Sequence, residues 1–314
     1  MDIVDLHPQH LRSDLAYQPS RQGAVTSLIV IALFFSLCFG IISWRVRQPI
    51  LLDSSSFHAN SAAVGSAYSG YSYKTQQNNL GKYSEADYPA GYLISYIPFD
   101  VKQDILFDAE VTLDPHLKEE GLAIFFRPSS GRNQVWKIGK YSGQGFGLAG
   151  FENIVGFKID LHPTTRDQLK ESGCRKMCSA DPQGITSPFG AFIATGSSVD
   201  GKPLAEKTGY LQVLDFNGSV KPIRNLQSLT SGSPVRMRLK WEAATEEMIV
   251  RFNNQEWSYN FSHLVNAKDS YWLGLASSNS NPGKKYSTFI KMNTVLGTVA
   301  PQSVKWLNKI SGVF

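Results

Sequence analysis

From Val235 to Trp241 the chain alternates strictly. Val235, Met237, Leu239 and Trp241 are apolar, and Arg236, Arg238 and Lys240 between them are basic. Successive side chains of a strand point to opposite faces. The pattern therefore predicts a half-buried antiparallel strand, apolar side in and basic side out. A polar turn over 242–247 leads to a partner strand at 248–252, Asn253-Asn254 forms the next turn, and a third strand follows at 257–261. Further strand-like runs are 92–97, 105–113, 122–126, 155–159, 189–194, 210–216, 271–276 and 289–295. Between 71 and 298 there is no long amphipathic helix. Many short strands with Gly, Asn and Pro turns predict an all-β fold, a jelly-roll sandwich of antiparallel sheets. A segment of about 230 residues is enough for one such domain.

Composition supports a folded chain: 42% of residues are hydrophobic and 18% charged, which excludes disorder. The net charge of +5 permits an acidic partner but gives no reason to expect nucleic acid. Three cysteines are too few for a scaffold built on disulfides.

Residues 24–44 (AVTSLIVIALFFSLCFGIISW) stand apart, an uncharged run long enough for a hydrocarbon core of about 30 Å. Trp44 at its end suits a membrane interface. A cleaved secretory signal is the rival reading. The run is longer than a usual signal core, no A-x-A site follows, and 23 residues precede it, all of which favour a retained span. The expected organisation is a cytoplasmic tail or leader at 1–23, a transmembrane helix at 24–44, a Ser/Ala/Gly-rich linker at 45–70, the β domain at 71–298 and a tail at 299–314, with the β domain outside the cytoplasm or on the cell surface. Ser20-Arg21-Gln22-Gly23-Ala24-Val25 also resembles the leader of type IV pilin-like proteins, which is cut after its glycine. Leu28 stands where that family has glutamate, and Pro49 stops the helix early.

Several segments of the β region occur in the order of the L-type (legume-like, concanavalin-like) lectin domain. Ala90-Gly91-Tyr92-Leu93 resembles its opening strand, and Glu120-Gly121-Leu122-Ala123-Ile124-Phe125-Phe126 its D-G-x-A-F strand. Gly143-Gln144-Gly145-Phe146-Gly147-Leu148-Ala149-Gly150 resembles its glycine-rich loop. Phe157-Lys158-Ile159-Asp160 with Asp181-Pro182 resembles its metal segment, and Tyr271 to Ser278 its last strand and loop. The similarity spans about 220 residues. It implies a sugar site where four loops meet at one end of the sandwich. Glu120 would accept hydrogen bonds from sugar hydroxyls, Gly143 or Gly145 would donate an amide, and His162 would stack on a ring. Thr164 stands at the asparagine position, and Ser277 and Ser278 lead the specificity loop.

The same resemblance assigns Asp160 and Asp181 to calcium, with Asp167 as a further oxygen donor. Lys158 stands in place of the glutamate of the neighbouring transition-metal site, and Pro188 about where its histidine belongs, so no transition metal is expected. Calcium is one reading of Asp160; a Lys158–Asp160 ion pair on a solvated strand face is the other. Cys174 and Cys178 lie four apart in the long loop between Asp160 and Phe189, and in an oxidising compartment they can close a disulfide. Arg166, Lys170, Arg175 and Lys176 in that loop, with Lys137, Lys140, Lys284 and Lys285, suggest a basic rim and an acidic glycan as ligand. The expectation is a membrane-anchored, adhesin-like lectin, not an enzyme: the hydrolase signature E-x-D-x-x-E is missing, and Lys158-x-Asp160 offers one acid where two are needed. The alternative is a pilus-associated or structural surface protein that uses the fold without binding sugar.

Overall fold

The computed structural model describes residues 29–38, 49–52, 57–62, 67–72, 77–83, 90–114, 116, 120–130, 143–171, 174, 177–195, 209–215, 219–266, 269–278 and 287–298. The chain divides into two units, Met1–Arg45 and Val46–Phe314. In the first, residues 29–38 are helical and expose Ile29, Val30, Ile31, Leu33, Phe34, Phe35 and Leu37. Among the described residues no helix is long and apolar enough to cross a membrane. The rest of the 24–44 run, the leader and the 299–314 tail lie outside the described residues.

The second unit is all-β. Its strands are β1 (Pro49–Leu52), β2 (Phe57–Ala62), β3 (Ala67–Ser72), β4 (Gln77–Tyr83), β5 (Ala90–Ser95), β6 (Phe99–Asp100), β7 (Ile105–Thr112), β8 (Gly121–Pro128), β9 (Val155–Asp160), β10 (Phe189–Thr195), β11 (Leu211–Leu214), β12 (Lys221–Pro222), β13 (Val235–Glu242), β14 (Glu247–Phe252), β15 (Gln255–Asn260), β16 (Ser270–Ser278) and β17 (Ser287–Thr298). One sheet runs β15-β14-β13-β7-β17-β4-β3, with β1 also on β17; the other runs β11-β10-β9-β8-β16-β5-β2, with β12 on β10 and β6 on β16. The strands pair antiparallel throughout.

The period-2 pattern decides the layers. Met237, Leu239 and Trp241 from one sheet meet Leu122, Ile124, Phe126, Phe157 and Leu275 from the other in the main core. Phe126 stands edge-on to Trp241 at 6.0 Å between centroids, and Phe157 lies 5.1 Å from Trp257. Burying each such side chain contributes about 1.5–3 kcal/mol. Trp241 satisfies its indole N–H on the Val101 carbonyl at 2.8 Å. Gly190 is small because Trp257 fills the space beside it; a Cβ there would lie 2.8 Å from the indole.

Two expectations are corrected here. The segment 45–70, read as a linker, carries β1, β2 and β3, and β2 and β3 end their sheets. An edge strand needs backbone N–H and C=O groups more than an apolar pattern, and Ser, Ala and Gly supply those. The outer face of the second sheet is not solvated. A second apolar cluster covers it, made of Ala123, Phe125, Phe189, Ala191 and Ile193 from the strands and Phe146, Leu148, Phe151, Leu169, Cys174 and Cys178 from the segment 143–178.

Candidate functional site

Strand register brings the sequence-predicted residues to one end of the second sheet. Gly121, which opens β8, pairs with Asp160 at the end of β9 and with Ser278 at the end of β16. Asp160 pairs on its other side with Phe189, which opens β10. Glu120 is tied in by its backbone: its N–H donates to the Ser278 carbonyl at 2.7 Å, and its carbonyl accepts from Leu161 N–H at 2.8 Å. Gly121 holds φ +142°, and a Cβ there would lie 1.9 Å from the Ile159 carbonyl oxygen, so glycine is obligatory.

On the outer face of that end lies a charged cluster. The Lys158 ammonium donates to Asp160 Oδ2 at 2.5 Å and to Asp181 Oδ1 at 2.6 Å. Lys158 is 1% exposed and Asp160 0%. The register sets Lys158 between Ala123 and Ala191, whose small side chains leave it room, and its Nζ lies 5.0 Å from the centroid of the Phe189 ring. The second oxygen of each carboxylate is also engaged. Asp160 Oδ1 accepts from His162 N–H at 3.0 Å, and Asp181 Oδ2 from Thr164 N–H at 2.7 Å. Burial opposes the charge on Lys158, but the two carboxylates outweigh it and raise its pKa above the ordinary lysine value. Burial pushes Asp160 up to about 6, with Asp181 adding to the rise and Lys158 opposing it. One positive charge faces two negative ones.

The glycine loop packs on the loop between β9 and β10. Cys174 and Cys178 form a disulfide, both buried. Gly145 sits beneath it: a Cβ there would come within 2.9 Å of Cys174 Sγ. Gln144 Nε2 donates to the Ser179 carbonyl at 2.9 Å, and the Ser179 hydroxyl accepts from Val213 N–H at 3.1 Å. The short helix Arg166–Glu171 begins with a reciprocal cap: Thr165 N–H donates to Gln168 Oε1 and Gln168 N–H to Thr165 Oγ1.

No protein-family model and no curated protein sequence matches the chain. Solved structures do match. Lectin I-B4 from Griffonia simplicifolia, in its metal-free form, aligns with a TM-score of 0.50 at 11% identity, over 79% of this chain and 98% of that one. The fold is that of the legume lectins. The lectin from Bauhinia forficata, in complex with GalNAc, aligns equally, with a TM-score of 0.50 at 11% identity, over 79% of this chain and 97% of that one.

Within this legume-lectin fold the predicted residues divide. Lys158, Asp160 and Asp181 come together, and His162 and Thr164 join them through their backbones; His162 is exposed and Thr164 half-buried. The Lys158–Asp160 pair is buried, not solvated as one reading held, because the 143–178 segment covers that face. Calcium on Asp160 and Asp181 does not fit, since their facing oxygens are held by a lysine that cannot ligate while protonated. Asp167 is exposed on the short helix, and among the described residues no three His, Cys, Asp or Glu converge as a metal shell. The Cα of Gly145 packs against the disulfide. Gly143 opens the same 3-10 turn, Gly143–Gly145. Glu120, Ser277 and Ser278 are at most 1% exposed. Ser277 lies 3.5 Å from the Thr288 hydroxyl, inside the sandwich. Arg166 is exposed, whereas the side chains of Lys137, Lys140, Lys170, Arg175, Lys176, Lys284 and Lys285 lie outside the described residues. Sequence reasoning missed Arg127, buried on β8 with its guanidinium 4.0 Å over the Phe151 ring. A lone arginine in a strand carries no signal of burial.

Proposed function

We propose that the chain is a carbohydrate-binding protein of the legume-lectin fold, anchored by the apolar 24–44 run with its β domain outside the cytoplasm, and that its ligand is an acidic glycan. The observation that carries this is the convergence of Glu120-Gly121, the 160–164 turn, Asp181 and Ser278 at one end of the second sheet. The lectin from Bauhinia forficata, with the same fold, is solved in complex with GalNAc. The Cys174–Cys178 disulfide suits an oxidising compartment. The exposed Arg166 and the net charge of +5 favour an acidic ligand.

The test is the full chain on an array of neutral and acidic glycans at low and high salt. Binding to acidic glycans that weakens with salt is expected. Salt-independent binding to a neutral sugar would overturn the acidic preference. A second reading has its own support. Glu120, Ser277 and Ser278 are all buried, as suits a surface or pilus-associated protein that uses the fold only as scaffold. Absence of binding to every glycan would favour that reading.

A further inference from the structure

Asp160 and Asp181 flank a loop of twenty residues and meet again across it. Two carboxylates buried face to face need a cation between them or must take up a proton. Here the cation is covalent. Lys158 reaches both from the middle of β9 at 2.5 and 2.6 Å, and the outer oxygens are taken by the His162 and Thr164 amides at the start of the same loop. Each carboxylate thus spends one oxygen on the ammonium and one on the loop backbone. Phe189 lies against the ammonium, and the apolar cluster that holds the disulfide includes Ala123 and Ala191 on either side of Lys158. The register neighbours of Lys158, Ala123 and Ala191, carry no polar side-chain atom.

We infer that Lys158 is a built-in cation that does the work of a bound divalent ion, so that the loop between β9 and β10 is ordered without metal, and that removing the lysine opens a latent divalent-cation site between Asp160 and Asp181. The inference concerns how this end of the sandwich is held and stands whether or not the domain binds sugar. It makes Lys158 a positioning residue, acting on the loop through two carboxylates.

The experiment compares thermal midpoints of the full chain in excess EDTA and in calcium, for the wild type, Lys158→Ala and Lys158→Met. The wild type should melt at the same temperature in both. Lys158→Ala leaves two buried carboxylates and an open space, and its folding equilibrium constant should fall by roughly a hundredfold or more in EDTA. Calcium should restore much of that loss, including refolding of a variant that does not fold in EDTA. Lys158→Met should be destabilised similarly but not restored, because its side chain fills the space. Calcium titration calorimetry on the wild type adds a readout that needs no variant, with no heat expected at this site. A wild-type midpoint that falls in EDTA, saturable calcium binding abolished by Asp160→Asn, or a Lys158→Ala variant that folds normally and ignores calcium would each overturn the inference.

Discussion

Asp108 shows how one buried charge on an otherwise wet sheet face is held. It lies on the outer face of β7, 6% exposed, directly opposite Arg238 in the register. Arg236 donates from Nη2 at 2.7 Å, Arg238 from Nε at 2.7 Å and Asn293 from Nδ2 at 3.4 Å. Burial opposes ionisation of Asp108, but the hydrogen bonds from Arg236, Arg238 and Asn293 outweigh it and depress its pKa below the usual carboxylate value. The unfolded chain therefore takes up this proton first as the pH falls. The stabilisation is fully present above about pH 4 and is lost as the pH falls through the lower folded value. Asp108→Asn should be less stable than the wild type at neutral pH, and the difference should shrink in acid, as read by urea midpoints across the range. At Gly121 the argument is steric. Gly121→Ala meets the Ile159 carbonyl oxygen and a forbidden φ together, and should cost at least about 1–3 kcal/mol of stability, measured by urea denaturation. The alternation around Arg236 and Arg238 was readable in the sequence. The depth of Asp108 was not, because an aspartate facing two arginines on a neighbouring strand is defined only once the register is set.

Among the elements, the β14–β15 hairpin is the most local. Asn253 and Asn254 hold φ of 49° and 61°, the conformation a two-residue turn needs to match the twist of its strands. Asn254→Ala should cost about 1 kcal/mol while Asn254→Gly is tolerated, by thermal denaturation. The disulfide segment is the next element up. Its ring closes over a sequence separation of 4, and the chain-entropy relation assigns so small a ring about 2 kcal/mol. Cys174→Ala with Cys178→Ala should lower stability by that order and raise amide exchange across 174–181, without loss of the fold. The helix Arg166–Glu171 went unread: Thr165 and Gln168 have the spacing of a capping box, but a run of six residues lacks the periodicity that marks longer helices. β6 and β12, of two residues each, carry no pattern that any sequence reading could detect.

For the whole β unit, the last strand holds the first sheet together. β17 pairs with β7 and β4, and with β1 from the start of the unit. A chain ending before Ser287 should lose the cooperative urea transition followed by tryptophan fluorescence, since β7 then loses a neighbour and Ile290, Met292 and Val295 leave the core. Such pairings join residues far apart in sequence, so refolding of this unit should fall in the millisecond-to-second range of all-β proteins, measured by stopped-flow fluorescence.

The sequence by itself determined the class of fold and most of its strands, because burial of one face imposes a period of two that survives in the residue order, as Val235 to Trp241 and 248–252 show. It also brought Lys158 and Asp160 to attention through their charge and spacing, and Asp181 through the lectin resemblance. Only the tertiary structure decided that these three form one buried cluster, that β1, β2 and β3 pair into the sheets, and that Gly145 packs against a disulfide. Each of those depends on what a distant segment lays over a residue. Lys158 and Asp160 look like a solvated pair until Phe146, Leu148, Phe151, Leu169 and the Cys174–Cys178 disulfide, from the chain before and after β9, cover that face of the sheet.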